Sequence, residues 1–160
     1  MAGSLRVQGA IATLSGGTLT IPTGAIIDGD VNAQADISVG KLRHLHKAGT
    51  NFDLGITGTP GSREELVYVA TSAGTIRAFS AMLNDTGTST DIDFTLKKNG
   101  VSIMTADINI TNADADREVI DGTLSSTSYV ADDVFSIQIA ITSSTGAQGP
   151  FAWVEFDEAA

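Results

Sequence analysis

An all-β fold is predicted for this chain: an antiparallel jelly-roll or β-sandwich domain preceded by an extended N-terminal arm. Three observations predict it. Residues 75–110 read as three strands, the second and third joined by a tight turn at Lys98-Asn99-Gly100. Residues 134–142 alternate apolar and polar side chains again after a gap of about thirty residues. Turn residues recur every 8–12 positions through the last hundred residues, the spacing of a sandwich or jelly roll.

The arm and its linker are assigned to residues 1–60 and the β-domain to residues 61–160. In residues 4–31, short apolar clusters (Leu5, Val7, Ile11, Leu19, Ile21, Ile26, Ile27) are separated by Gly, Thr and Asp. The piece Gly24 to Val31 resembles one rung of a β-solenoid, and a rung needs neighbours to bury its face. An arm ordered by adding strands to another chain is therefore expected. In residues 32–47, Ala35, Ile37, Leu42 and Leu45 are placed to line a short helix, weakened by Gly40. Lys41, Arg43, His44, His46 and Lys47 form a local basic cluster. It reads either as a contact for an acidic partner or as a solvated turn. Residues 48–64 are rich in Gly, Thr and Pro, with a hinge expected at Thr59-Pro60-Gly61-Ser62.

Within the domain, Leu66 to Thr71 is the first expected strand. Thr75 to Leu83 is the second, with Phe79, Ala81 and Leu83 on its more apolar face and Ile76, Ala78, Ser80 and Met82 on the other. Asn84 to Gly87 has turn chemistry. From Asp91 to Lys97 the chain alternates cleanly, with Ile92, Phe94 and Leu96 inward. Asn99-Gly100 supplies the positive φ angles of a two-residue hairpin loop, and Val101 to Ile110 returns. Thr111 to Asp121 is an acidic connection, and residues 123–130 hold a short strand. Phe135, Ile137, Ile139 and Ile141 then point inward. Phe151 to Phe156 is the last strand and carries the sole tryptophan, Trp153.

Composition sets limits on function. The chain has 160 residues and no cysteine, so it offers no disulfide, thiolate metal site or cysteine nucleophile. Its net charge of −10 arises wholly in residues 61–160, with fifteen acidic and five basic residues. An acidic body is repelled by phosphate backbones and anionic membranes, so neither nucleic acid nor membrane is expected as a partner. No secretory signal or 18-residue apolar run is evident, and synthesis in the cytoplasm is the default expectation.

No enzyme is expected. The two histidines, His44 and His46, fall in the expected linker, where no third group would orient a base. Asp91 and Asp93 share a strand face, but carbohydrate hydrolysis needs paired carboxylates in a cleft. Asp114, Asp116, Asp132 and Asp133 are hard oxygen donors of the kind Ca²⁺ prefers, although Asp-rich loops are more often simply solvated. No catalytic residue, cofactor or metal ligand is assigned. Phe151 and Trp153 share a face and read as core or interface packing, with a ligand platform as the lesser alternative.

The stretches Ala73-Gly74-Thr75-Ile76, Thr90 to Phe94, Lys97 to Ile103 and Ala131 to Ile137 together resemble jelly-roll modules of tailed-bacteriophage virions. Asp132 stands where those modules often have Gly. Ala35 to Leu42 resembles the linker that joins an anchor to a globular head in such proteins. The resemblance implies a capsid decoration (cement) protein, a homotrimer on the outer capsid surface that stabilises the virion. Its partners would be major capsid protein and itself. Candidate arm contacts are Leu5, Val7, Ile11, Leu19, Ile21, Ile26, Ile27, Lys41 and Arg43, and candidate trimer contacts are Phe151 and Trp153. The alternative is a head or tail fibre module that binds a host glycan or receptor.

Overall fold

The computed structural model describes residues 6–7, 10–11, 13–15, 18–20 and 43–159. The chain divides into two units, residues 1–38 and 39–160. In the first, β1 (Arg6–Val7) pairs antiparallel with β2 (Ala10–Ile11), and β3 (Thr13–Ser15) pairs with β4 (Thr18–Thr20). The second unit holds β5 (Arg43–Thr50), β6 (Arg63–Val69), β7 (Gly74–Asp85), β8 (Ser89–Lys98) and β9 (Val101–Ser102). It continues with β10 (Ile108–Thr111), β11 (Ile120–Asp121), β12 (Ser128–Tyr129), β13 (Val134–Thr145) and β14 (Gln148–Ala159). Strands and no helix are present among the described residues.

These strands form two antiparallel sheets, an all-β sandwich. One has the order β11-β7-β14-β5, with β12 also on β7; the other has the order β10-β8-β13-β6, with β9 also on β8. The core lies between them. Ile92, Phe94 and Leu96 of β8 stand opposite Ile141, Ile139 and Ile137 of β13, and Ile108 and Ile110 of β10 flank Phe94 and Ile92. From the other sheet come Phe79, Ala81 and Leu83 of β7 with Ala152, Val154 and Phe156 of β14, all fully or almost fully buried. Burying a side chain of Leu, Ile or Phe size contributes about 2 kcal/mol.

The sharpest turn follows the sequence rule. Asn99 has φ 52° and Gly100 φ 79°, and Lys98 faces Val101 across the loop, the geometry for which Asn-Gly is selected. Asp132 has φ 69°, which accounts for glycine being the common residue at a turn of this shape.

Three expectations are corrected. First, the boundary at residue 60 falls too late. Residues 43–50 are a full strand, paired along β14 from Arg43–Ala159 to Thr50–Ala152. Second, Leu45 belongs to that strand and not to a helix. Third, strict alternation placed Ile76 opposite Phe79, yet both are buried. Glu155 faces Ala78 while Phe156 faces Ile76, so Arg77 is an extra residue in β7. This β-bulge resets the face.

Candidate functional site

The outer face of the β7-β14-β5 sheet carries the most distinctive surface of the second unit. On β14, Ala152 and Val154 are buried, so Phe151, Trp153 and Glu155 project outward. Register brings them neighbours from both sides. Phe151 faces Met82, Trp153 faces Ser80 and Gly49, and Glu155 faces Ala78 and Lys47. The Phe151 and Trp153 rings lie 5.4 Å apart, tilted by 31°. Lys47 Nζ lies 5.9 Å from the centroid of the Trp153 ring and 2.5 Å from Glu155 Oε1.

A concavity of about 410 Å³ results, lined by Lys47, Gly49, Met82, Phe151 and Trp153. Gly49 shapes it. A Cβ there would come within 2.7 Å of the Ala152 carbonyl oxygen and 2.8 Å of Trp153 Cβ. The edge strand therefore passes beside Trp153 only because residue 49 has no side chain. Behind the rim, Ser80 Oγ donates to Asp121 Oδ1 at 2.6 Å. Arg77 Nε donates to Asp157 Oδ2 at 2.8 Å.

Beneath one end of this sheet lies an aromatic cluster. His46 stacks 5.2 Å from Phe156 and meets Tyr68 edge-on at 4.8 Å. Tyr129 meets Phe135 and Phe156 edge-on at 5.4 and 5.6 Å. Glu158, also buried, accepts four hydrogen bonds: from Tyr68 Oη (2.6 Å), the Thr71 amide (3.0 Å), Thr71 Oγ1 (3.1 Å) and the Ser72 amide (2.8 Å). Burial pushes the Glu158 carboxyl up, but these donors outweigh it and hold it below its ordinary value. Burial and the bond to Glu158 hold the Tyr68 phenol up. Burial, with the nearby Glu158, Tyr68 and Asp157 charges, pushes Tyr129 to about 12. The Tyr129 hydroxyl and His46 Nε2 are buried without a hydrogen-bond partner.

The histidines thus differ from their expected setting. His46 is packed in the sandwich, not in a mobile linker. Alternation along β5 also splits the basic cluster, because His46 packs inward while Lys47 projects outward to Glu155. The acidic loops are occupied with capping backbone. Asp114 Oδ2 accepts from the Thr111 amide (2.7 Å) and Asp116 Oδ1 from the Thr86 amide (2.9 Å). Asp133 accepts from the Val130 amide (2.9 Å) and from Asn99 Nδ2 (2.6 Å). These bonds hold Asp116 and Asp133 below the usual carboxylate range. Among the described residues no group of three or more His, Asp or Glu is placed to hold a metal ion.

Of the expected arm contacts, Leu5, Ile21, Ile26, Ile27 and Lys41 lie outside the described residues. Val7, Ile11 and Leu19 fall in β1, β2 and β4, opposite Ala10, Arg6 and Leu14; Arg43 opens β5 opposite Ala159. The side chains of these four also lie outside the described residues. Phe151 and Trp153 do share one exposed face. Lys47, Gly49 and Met82 join them through inter-strand register, which no local sequence pattern announces. No family model matches the chain, and no curated protein or solved structure matches it.

Proposed function

We propose that this chain is a jelly-roll decoration protein of a bacteriophage capsid. In this reading it is a homotrimer on the outer surface of the virion, without enzymatic activity, that binds major capsid protein through its N-terminal residues and stabilises the shell. The observation that carries the reading is strand order. From β5 to β8 and from β12 to β14 successive strands alternate between the sheets, while β8 and β10 stay in one, giving β11-β7-β14-β5 against β10-β8-β13-β6, the interleaving expected of an eight-stranded jelly roll. The eighth strand of that scheme is β5, supplied by residues first assigned to the arm. The hairpin at Asn99-Gly100 and the left-handed turn at Asp132 also support the resemblance to virion modules. Weak contacts repeated over a lattice would stabilise a shell through multivalency, and the acidic body would limit non-specific association.

The test mixes the purified full chain with capsids stripped of surface proteins and measures co-sedimentation and copy number. Saturable binding at sites throughout the lattice is expected. Binding confined to a vertex or tail, or no binding, would favour the second reading, a fibre module that takes a host glycan or receptor. One observation favours that second reading: Phe151 and Trp153 stand side by side on an exposed face.

A further inference from the structure

We propose that Asn99 is a deamidation site: the fold restrains its side chain, and its conversion to aspartate turns the hydrogen bond between Asn99 and Asp133 into a repulsion.

The chemistry is local. The backbone nitrogen of Gly100 attacks Asn99 Cγ and forms a C–N bond. The Cγ–Nδ2 bond breaks, the proton of the Gly100 amide leaves with the side-chain nitrogen, and ammonia departs. Water then opens the cyclic imide at either carbonyl, giving aspartate or isoaspartate. The net change is water consumed, ammonia released and a carboxylate gained. The rate depends on how freely the attacking nitrogen reaches Cγ, and glycine crowds that approach least because it has no Cβ. Of the six asparagines Asn99 alone precedes glycine; the others precede Ala33, Phe52, Asp85, Ile110 and Ala113. Asn99 and Gly100 are both exposed, and a Cβ at Gly100 would meet nothing within 4 Å. The hairpin tip therefore has room for the imide ring and access to water.

The same tip holds the reaction back. The leaving nitrogen, Nδ2, donates to Asp133 Oδ1 at 2.6 Å, and Asn99 Oδ1 accepts from the Val134 amide at 2.8 Å. Attack requires Cγ to swing onto the Gly100 nitrogen, and the carboxamide is anchored at both ends against that swing. Two bonds of ordinary net strength correspond to a slowing of about tenfold or more.

Conversion removes the donor. Aspartate at this position keeps an oxygen for the Val134 amide and tolerates the φ of 52° much as asparagine does, so the turn survives. Toward Asp133, however, an acceptor now meets an acceptor. The Val130 amide and Asn99 hold the Asp133 carboxyl below its ordinary value, so it is ionised at neutral pH and two negative charges face each other. Lys98 Nζ, 3.7 Å from Asp133 Oδ2, offsets part of this while also donating to the Ser128 carbonyl at 2.9 Å. The Asp132 amide and the Asp133 carbonyl are both bonded to the backbone of Ala70, so loosening at 133 reaches the end of β6. Isoaspartate adds a backbone methylene and forfeits the two-residue turn itself.

The full chain is aged in mildly alkaline buffer, folded and in urea, and all six asparagines are followed by peptide mapping with mass spectrometry. In urea Asn99 is expected to convert first. In the folded chain it should convert measurably, but about tenfold more slowly or less. Asp133→Ala, checked for folding by circular dichroism, should speed conversion of Asn99 in the folded chain severalfold; if that variant does not fold, the two wild-type rates decide. Asn99→Asp should shift the folding equilibrium about tenfold toward the unfolded chain. The swap Asn99→Asp/Asp133→Asn, which again sets a donor against an acceptor, should recover most of that loss. Another asparagine converting before Asn99 in urea, or no conversion of Asn99 in the folded chain, overturns the site. Equal rates folded and in urea, or a folded Asp133→Ala variant that ages like wild type, overturns the restraint. An Asn99→Asp variant as stable as wild type, or a swap no more stable than Asn99→Asp, overturns the repulsion.

Discussion

Tyr68 on β6 donates its phenolic hydroxyl to Glu158 on β14 at 2.6 Å, tying together two sheets through residues 90 positions apart. Glu158 is also the acceptor for the turn that follows β6, through the Thr71 and Ser72 amides. One carboxylate therefore fixes the exit of β6 to the end of β14. Tyr68→Phe is expected to cost about 1 kcal/mol, the net worth of one hydrogen bond. Glu158→Ala should cost about 3 kcal/mol, because it strands several donors at once. Chemical denaturation of both single variants and the double variant checks this. A coupling energy near zero would mean that the contact contributes nothing.

The same carboxylate shapes the acid response. The folded-state values of Glu158 and Glu64 lie below 4.5, and those of Asp116 and Asp133 lie below 3.8. As pH falls the unfolded chain takes up protons first, so these groups stabilise the fold above their ordinary values, and that stability is lost progressively below them. Unfolding free energy should therefore be flat from neutral pH down to about 5 and fall steeply below. Glu158→Gln should fall less steeply over the same range. Identical slopes for the two proteins in pH-dependent urea melts would exclude Glu158 from the acid response.

Tyr129 governs the alkaline side. Its value is raised to about 12 from 10.0. The protonated phenol is the form the fold favours, so its contribution is intact below pH 10 and disappears as pH rises from there through 12. Its hydroxyl is buried with no partner, and removing an unpaired buried hydroxyl relieves a desolvation penalty. Tyr129→Phe is accordingly expected to be neutral at pH 7, or more stable by about 1 kcal/mol, and to melt with a flatter alkaline limb. A loss of more than about 2 kcal/mol at pH 7 would show that the hydroxyl has a partner.

Truncation separates the two units. Removing residues 1–38 leaves β5 in place, and the remaining chain should melt cooperatively with a β-type circular dichroism spectrum. Removing residues 1–60 takes β5 away from β14. It unpairs the strand from Ala152 to Ala159 and strips His46 from Phe156, and it should leave an aggregating or unfolded product. Equal melting temperatures for the two truncations would contradict the role of β5 as a sheet strand.

The parts of the fold legible in the sequence are those where local pattern and tertiary environment agree. Ile92, Phe94 and Leu96 alternate over one face, Asn99-Gly100 meets the needs of its turn, and Phe135, Ile137 and Ile139 alternate again. β5 was illegible because its inward positions, His46, Ala48 and Thr50, are not an apolar row. His46 is accommodated by the rings of Tyr68 and Phe156, which arrive from distant strands. Thr50 donates to Glu65 on β6. Ile76 was misplaced because a bulge is a property of two strands and leaves no mark on one. In the candidate site, Phe151 and Trp153 followed from alternation, while Lys47, Gly49 and Met82 depended on register between β5, β14 and β7.

The two stretches that stand out in the sequence are one object in space. Asn99 donates its amide to the Val134 carbonyl (2.8 Å), accepts from the Val134 amide (2.8 Å) and donates Nδ2 to Asp133 (2.6 Å). The tip of the β8–β9 hairpin is thus clasped to the first residues of β13. A substitution at 99 that preserved the turn would still take one partner from Asp133, leaving it the Val130 amide, so the pair is exposed to selection as a unit. Among descendants of this chain, positions 99 and 133 should change together or not at all, while the neighbouring Asp132 drifts freely toward glycine.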